Sequence, residues 1–459
     1  MRRPTDKMAA PTTPAMIMKP ELLSPAGSYK SMRYAFAYGA DAVYAGQPRY
    51  SLRVRNNEFN RLDIMAEAVA EAHRGGRQFY VASNVSPHNN KVRTYLRDME
   101  PVVEMGPDAL IMADPGLIML VRERWPDLPV HLSVQANAVN YAAVRFWYRQ
   151  GITRVILSRE LSLEEIAEIR DQCPEMELEV FVHGALCIAY SGRCLLSGYM
   201  NHRDPNQGAC TNACRWKYQT HEAVQTETGD ILPRKPGNWS PDATAAGEQP
   251  LVLLQEASRP DELMPAYEDE HGTYIMNSKD LRAVQHVPEL VRMGIHSLKI
   301  EGRTKSHYYV ARTAQTYRRA IDEAIAGVPF DMGLMRELDH LANRGYTEGF
   351  YRRHVPEAYQ NYQQGSSANG QQQFVGEISD LDTQRGWLTV EVKNRFEAGD
   401  HLELITPAGN LGFTLDRLEN LRGERLDAAP GSGHRVRIPL AMSGLSERDA
   451  EFALLMCHR

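Results

Sequence analysis

The chain has 459 residues, 43% apolar and 24% charged, the composition of a water-soluble globular protein with room for two or three domains. Its 52 lysines and arginines against 58 aspartates and glutamates give a net charge of −6, which excludes a global electrostatic pull toward nucleic acid or anionic lipid. No apolar run reaches the roughly 18 residues of a spanning helix.

The opening stretch, MRRPTDKMAAPTTPAMIMKP, contains only the short apolar run AMIM, where a secretion signal needs about 7 to 15 residues. Residues 1–17 are therefore expected to be a disordered extension, with Met18 an alternative start. The protein is expected to be cytoplasmic, with no membrane contact and with its thiols kept reduced.

From residue 21 to 326, short apolar runs alternate with segments of helical period, the pattern of βα units. Candidate strands are 21–27 (ELLSPAG), 41–46 (DAVYAG), 78–84 (QFYVASN), 108–114 (DALIMAD), 130–137 (VHLSVQAN), 154–160 (RVILSRE), 178–184 (LEVFVHG) and 297–303 (SLKIEGR). Among the intervening helices, one opens on Ser162 with Glu165 three residues on, a capping-box spacing. Another, 306–326, places Val310, Ala314, Tyr317, Ile321 and Ala324 on one face. Eight repeats predict an α/β fold, a TIM-barrel-like (β/α)8 domain over 18–357. An open doubly wound sheet is the alternative, but no G-x-G-x-x-G follows any strand.

One connection breaks the rhythm. The seventh strand ends at Gly184 and its helix is expected from Asp280, so 184–279 is an insertion far beyond the usual βα loop of about 2 to 6 residues. It lies at the strand end where barrel active sites are built. Four of the six cysteines, Cys187, Cys194, Cys210 and Cys214, fall within 28 residues of it, spaced C-x6-C-x15-C-x3-C. A reducing compartment argues against disulfides. The spacing leaves open an iron–sulfur cluster, a tetrahedral zinc and redox-active thiols. Neither H-E-x-x-H nor G-x-S-x-G occurs, so a peptidase reading is left with Cys187 and His183 as nucleophile and base.

Polar residues close most of the strands and would converge on the barrel mouth. Glu301, Arg303, His183 and Asn137 are the candidate catalytic groups. Arg159 and Gln135 are candidate substrate-binding groups, with the basic strip Arg49, Arg53 and Arg55 of RYSLRVRNNEF. Guanidinium groups in a polar pocket suit a carboxylate-bearing small molecule. Beyond the barrel, 358–373 is a polar linker, and from 374 to 459 the apolar period changes to two, which predicts a small β-barrel without a catalytic motif.

The segments ELLSPAG, GADAVYAG, FVHGALC-x6-C, SGRC, ACRW and NRGYTEGF resemble the peptidase U32 family, also called collagenase-like proteases, from about Met18 to the C-terminus. The resemblance implies a TIM-barrel-like catalytic domain and an iron–sulfur cluster of the 4Fe-4S type. It places Cys187, Cys194 and Cys210 on the ligand motif, with Cys214 as fourth ligand; zinc is the alternative metal. It further implies tRNA modification, the prephenate-dependent hydroxylation of a wobble uridine to 5-hydroxyuridine. The partners would be the tRNA anticodon loop, prephenate as co-substrate and an electron-donor protein. Prephenate is a dicarboxylate, which would make Arg159, Arg303 and the Arg49, Arg53 and Arg55 strip its clamps. A U32-type protease and a non-catalytic, zinc-stabilised RNA-binding protein are the alternatives.

Overall fold

The computed structural model describes residues 18–52, 57–186, 280–341, 343, 345–352, 372–439 and 445–458, together with the backbone of short strands between 218 and 273. Residues 1–17, Arg53, Arg55, Cys187, Cys194, Cys210 and Cys214 lie outside the described residues.

Eight short apolar runs become eight parallel strands, buried on both faces as an all-parallel sheet requires. They are β1 (Glu21–Pro25), β2 (Ala42–Gly46), β3 (Gln78–Ser83), β4 (Ala109–Met112), β5 (Val130–Leu132), β6 (Arg154–Ile156), β7 (Glu177–Ala185) and β8 (Ser297–Ile300). They pair in sequence order, and β8 pairs with both β7 and β1, which closes the barrel. This is the expected TIM-like architecture rather than the open sheet.

The outer layer is α1 (Tyr29–Ala37), α2 (Leu62–Arg74), α3 (Tyr95–Glu104), α4 (Pro115–Arg124), α5 (Tyr141–Arg149), α6 (Leu163–Gln172), α7 (Val287–Arg292) and α8 (His307–Ile325). The Ser162–Glu165 capping box opens α6, and α8 buries Val310, Ala314, Tyr317 and Ile321 as its periodicity demands. No helix among the described residues is long and apolar enough to cross a membrane.

The structure corrects the expected helix from Asp280. Asp280–Arg282 is a short strand antiparallel to the end of β7, with Asp280 opposite Ala185 and Arg282 opposite His183. A 3-10 turn follows, and α7 starts only at Val287, with Pro288 in its first turn, where a missing N–H costs nothing. The insertion thus leaves and rejoins the barrel through two adjacent strands. Tyr346–Thr347, from the NRGYTEGF segment, pairs on the other side of Asp280–Leu281 and holds this root.

The C-terminal region is an eight-stranded antiparallel sheet. Its main strands are β9 (Gln372–Asp382), β10 (Trp387–Val392), β11 (His401–Thr406), β12 (Gly409–Thr414), β13 (Arg435–Pro439) and β14 (Leu454–His458). β9 begins two residues before the expected start at 374. β14 inserts between β9 and β11; its Leu454 and Met456 face the barrel while Leu455 and Cys457 face the sheet's own core. Burial on both sides explains its unbroken apolar run, LLMC, which lacks the alternation that marks the other strands. The sheet is fastened to α1 and α8. The Tyr38 hydroxyl donates to the carbonyls of Phe452 (2.8 Å) and Ile405 (3.0 Å), and buried Arg312 pairs with Glu403 at 3.3 Å.

Candidate active site

Alternation along the strands points charged residues into the barrel, where each needs a partner. Below the mouth, Arg154 of β6 bonds Glu21 of β1 at 2.7 Å and Glu177 of β7 at 2.8 Å, and stands 3.4 Å from Glu179 of β7. Glu179, fully buried, also accepts from Lys299 of β8 at 2.7 Å. Burial pushes the Lys299 ammonium below its ordinary range, against the opposing pull of Glu179. Three carboxylates, Glu21, Glu177 and Glu179, thus face two cations, with Glu177 alone opening to solvent.

Above this layer lies a cavity of about 90 Å³. Arg159, Glu301, Arg303, Gln135, Asn84 and Ser133 supply its polar lining, Lys299 its floor, and Tyr44, Phe181 and Ile111 its apolar walls. The groups are fixed by one another. Arg159 lies 3.6 Å from the Glu301 carboxylate and stacks on Phe181, 3.5 Å from the ring centroid. The Tyr44 hydroxyl donates to Ile300 O (3.1 Å) and to Glu301 Oε2 (3.4 Å). Arg303 donates to Ser51 Oγ at 2.7 Å, and the Asn84 amide donates to Gln135 Oε1 at 3.1 Å. Gly184 makes the position of Glu301 possible. Its φ is +105°, and a Cβ there would stand 2.3 Å from the Glu301 carbonyl oxygen.

Of the residues singled out in the sequence, Arg159, Gln135, Glu301 and Arg303 meet in this cavity. His183 does not. Simple alternation from Glu179 and Phe181 would aim it inward, but a bulge in the β7–β8 pairing sets His183 opposite Ile300 and turns it out toward α8. There it lies among the rings of Tyr309, Tyr317 and Tyr346, with Nδ1 3.4 Å from the Tyr317 hydroxyl. Burial, reinforced by the charges of Lys305 and Arg282, lowers its pKa to about 3, so the ring is neutral at physiological pH.

Asn137 also lies away from the cavity lining. It caps the 3-10 turn Val134–Ala136 at φ +50°, and it is the only non-glycine residue with positive φ among the described residues. Asparagine tolerates that conformation, so the residue shapes the turn that presents Gln135. Arg49 points elsewhere, into an ion pair with Asp98 at 2.6 Å. The residues flanking Arg53 and Arg55 are informative: Leu52 lines the cavity, and Asn57 lines a groove beside it.

Lys299, Tyr44 and Phe181 are the site residues that the motif search passes over. A signal for the first was present, since Lys299, Glu301 and Arg303 recur at every second position of SLKIEGR and so share the inward face.

Among the described residues no cluster of three histidines, cysteines or carboxylates is arranged to hold a metal. The described cysteines are buried elsewhere, Cys173 at the end of α6 and Cys457 in β14. The insertion that carries the four clustered cysteines has its two ends at Ala185 and Asp280, beside the cavity-forming end of β8.

A model of peptidase family U32 matches residues 27–361, and one of the family's C-terminal domain matches 370–450. The chain belongs to peptidase family U32. Within the family it is similar to the tRNA hydroxylation protein P of Escherichia coli, with 61% identity over 446 residues, 96% of this chain and 97% of that protein. The tRNA hydroxylation protein P of Haemophilus influenzae is 58% identical over 95% of this chain and 96% of its own length. A more distant U32 relative, a 23S rRNA 5-hydroxycytidine synthase of Escherichia coli, is 29% identical over 91% of this chain and 58% of its own length.

Proposed function

We propose that this chain is a tRNA-modifying hydroxylase, acting in the cytoplasm on the wobble uridine of the anticodon loop to form 5-hydroxyuridine. The observation that carries the reading is the near-full-length similarity to two tRNA hydroxylation proteins. The lining of the cavity suits that chemistry. Phe181 and Tyr44 offer stacking surface, and the amides of Asn84 and Gln135 offer hydrogen bonds to a base edge. A wobble base is single-stranded and can be turned out of its stack into such a pocket.

Prephenate is proposed as co-substrate. Its carboxylates call for guanidinium partners, and Arg159 and Arg303 stand at the cavity with fixed orientation. Cys187, Cys194, Cys210 and Cys214 would hold a 4Fe-4S cluster. Four thiolates suit iron–sulfur ligation, and a cluster supplies the one-electron chemistry that zinc lacks. An electron-donor protein would then complete the reaction.

The peptidase alternative loses support from the geometry, because no histidine lines the cavity among the described residues and His183 is buried away from it in the neutral form. The deciding experiment is mass spectrometry of tRNA nucleosides from a deletion strain complemented by wild type, by each Cys→Ser variant and by wild type in a host that makes no prephenate. The reading requires 5-hydroxyuridine-derived nucleosides with wild type alone. Unchanged nucleosides in the deletion strain would end it.

A further inference from the structure

Three cavities stand out on the described surface, and their charges differ. The pocket of about 90 Å³ inside the barrel mouth is the candidate active site. A groove of about 680 Å³ lies beside it at the barrel mouth, between the loops that follow β1, β2 and β8. A third, of about 650 Å³, lies on the flank between α1, α8 and the C-terminal sheet. The flank groove carries Arg318 and Arg319 against Asp322, Glu323, Glu337 and Glu403 and so repels a polyanion. The mouth groove carries Arg61, Arg303 and Lys305 against Glu58 in its lining and Asp63 beside Arg61, a local excess of positive charge on a chain of net charge −6.

Glu58 is already committed, because its carboxylate accepts the backbone N–H of Tyr29 at 3.2 Å and so occupies the start of α1. The remaining lining is neutral and rich in hydrogen-bonding groups, including Ser28, Asn57, Asn60, Thr304 and Ser306.

The wall between groove and pocket is thin and shared. Arg303 lines both cavities and donates to Ser51. Asn57, on the groove side, donates to the carbonyl of Gly46 at 2.7 Å. Gly46 leaves the space that Arg303 and Ser51 fill, since a Cβ there would lie 2.5 Å from each. For a strand that places one base in the pocket, the groove across this wall is an adjacent path for its sugar and phosphates.

We propose that the mouth groove seats the RNA backbone flanking the modified nucleotide, with Arg61 and Lys305 as its phosphate contacts. This inference rests on the tRNA reading above. Arg61 is exposed and held by Asp63, its Nε 3.2 Å from Oδ1, a solvent-facing pair that a phosphate can displace. Lys305 is half-buried, with its ammonium 5.3 Å from the centroid of the Tyr309 ring, and is thereby kept at the groove. An open, cationic groove beside a smaller pocket is suited to a single strand, which is bound through its phosphates and is read elsewhere through its bases.

The test uses the full chain with Arg61→Ala, Lys305→Ala, the double variant and Asp63→Asn. Binding of unmodified tRNA is titrated across a salt series, alongside hydroxylation in the complemented deletion strain. Each phosphate contact adds roughly 0.7 to 0.9 to the slope of log K against log salt, so the double variant is expected to lose between about 1 and 2 from that slope. Its tRNA affinity should fall about 10-fold or more at physiological salt. Asp63→Asn, which frees Arg61, should bind more tightly than wild type.

An unchanged slope in the double variant, with wild type binding and hydroxylating tRNA, would overturn the groove assignment and leave the tRNA reading standing. Inorganic phosphate that binds wild type but not the double variant, with tRNA affinity the same in both, would assign the groove to a small phosphorylated ligand and overturn the RNA seat. Wild-type protein that neither binds nor hydroxylates tRNA would remove both readings together.

Discussion

The barrel and the C-terminal sheet both bury an apolar core, but the barrel also buries a cluster of charges in its interior. Inside the barrel, Glu179 is fully buried, and Arg154, Lys299, Glu301 and Arg303 are each at most 8% exposed. Inside the sheet, Val390, Leu402, Leu404, Ile438 and Leu455 form an apolar core, and the sheet's buried carboxylate, Glu377, lies at its margin against Lys30 and His307. An apolar core contributes stability and nothing else. Charges held rigidly in a low-dielectric interior provide a fixed field that needs no rearrangement when a reaction develops charge. Chemistry accordingly belongs to the barrel, while the sheet's polar groups are spent where it meets α1 and α8.

The sharpest way to break this contrast is to remove Glu179. Glu179→Gln leaves Lys299 and one side of Arg154 without an anion, and the loss of stability is expected at about 3–5 kcal/mol, read from the urea midpoint. A double replacement, Glu179→Leu with Lys299→Met, should recover most of that stability and still lack activity. Recovery of hydroxylation with stability would mean that the charged floor is scaffolding only.

Leu404→Ala is the matching test in the sheet. A cavity in that core should cost about 2–5 kcal/mol, with the hydroxylation rate unchanged at temperatures where the variant remains folded. A loss of rate in the folded variant would give the sheet a part in the reaction.

Arg303→Lys comes next. Lysine keeps the charge but not the fork that reaches Ser51 while lining the pocket, so the rate is expected to fall about 100-fold with little change in thermal midpoint. A rate within a few-fold of wild type would show that charge alone suffices there.

How far the sequence reveals this arrangement varies by element, for physical reasons. All eight barrel strands are legible because short, mainly apolar segments recur between helix-period segments, and α6 and α8 are legible through a cap and a period. Arg159, Gln135, Glu301 and Arg303 are legible as polar residues at strand ends. His183 is not, because one bulged residue in β7 reverses the face it presents, and pairing register is set by the neighbouring strand rather than by local sequence. Asp280–Arg282 reads as the start of a helix because its strand character comes from partners at Ala185 and Tyr346, distant in the chain. Lys299 is hard to recognise because lysine usually marks a surface position, although the alternation of SLKIEGR places it inside. The four clustered cysteines, the strongest motif in the chain, lie outside the described residues.

The smallest effect is expected where the two regions meet. Glu377 of β9 accepts from Lys30 of α1, pairs with His307 of α8 at 3.1 Å and lies 3.5 Å from Lys393. Burial pushes its carboxyl up, but the hydrogen bonds and charges of His307 and Lys30 outweigh burial and bring the pKa down to about 2 from an ordinary 4.5. A carboxyl with a depressed folded pKa contributes stability above its unfolded value and loses that contribution as pH falls through the folded one. The contribution of Glu377 should therefore be complete at neutral pH and disappear between about 4.5 and about 2. Lys30 opens to solvent, with its side chain 47% exposed, so the difference between wild type and Glu377→Gln at pH 7 should stay below about 1 kcal/mol. Urea midpoints of the two proteins should converge as pH is lowered through that window. A gap that persisted at pH 2 would mean that packing, not charge, ties the sheet to the barrel.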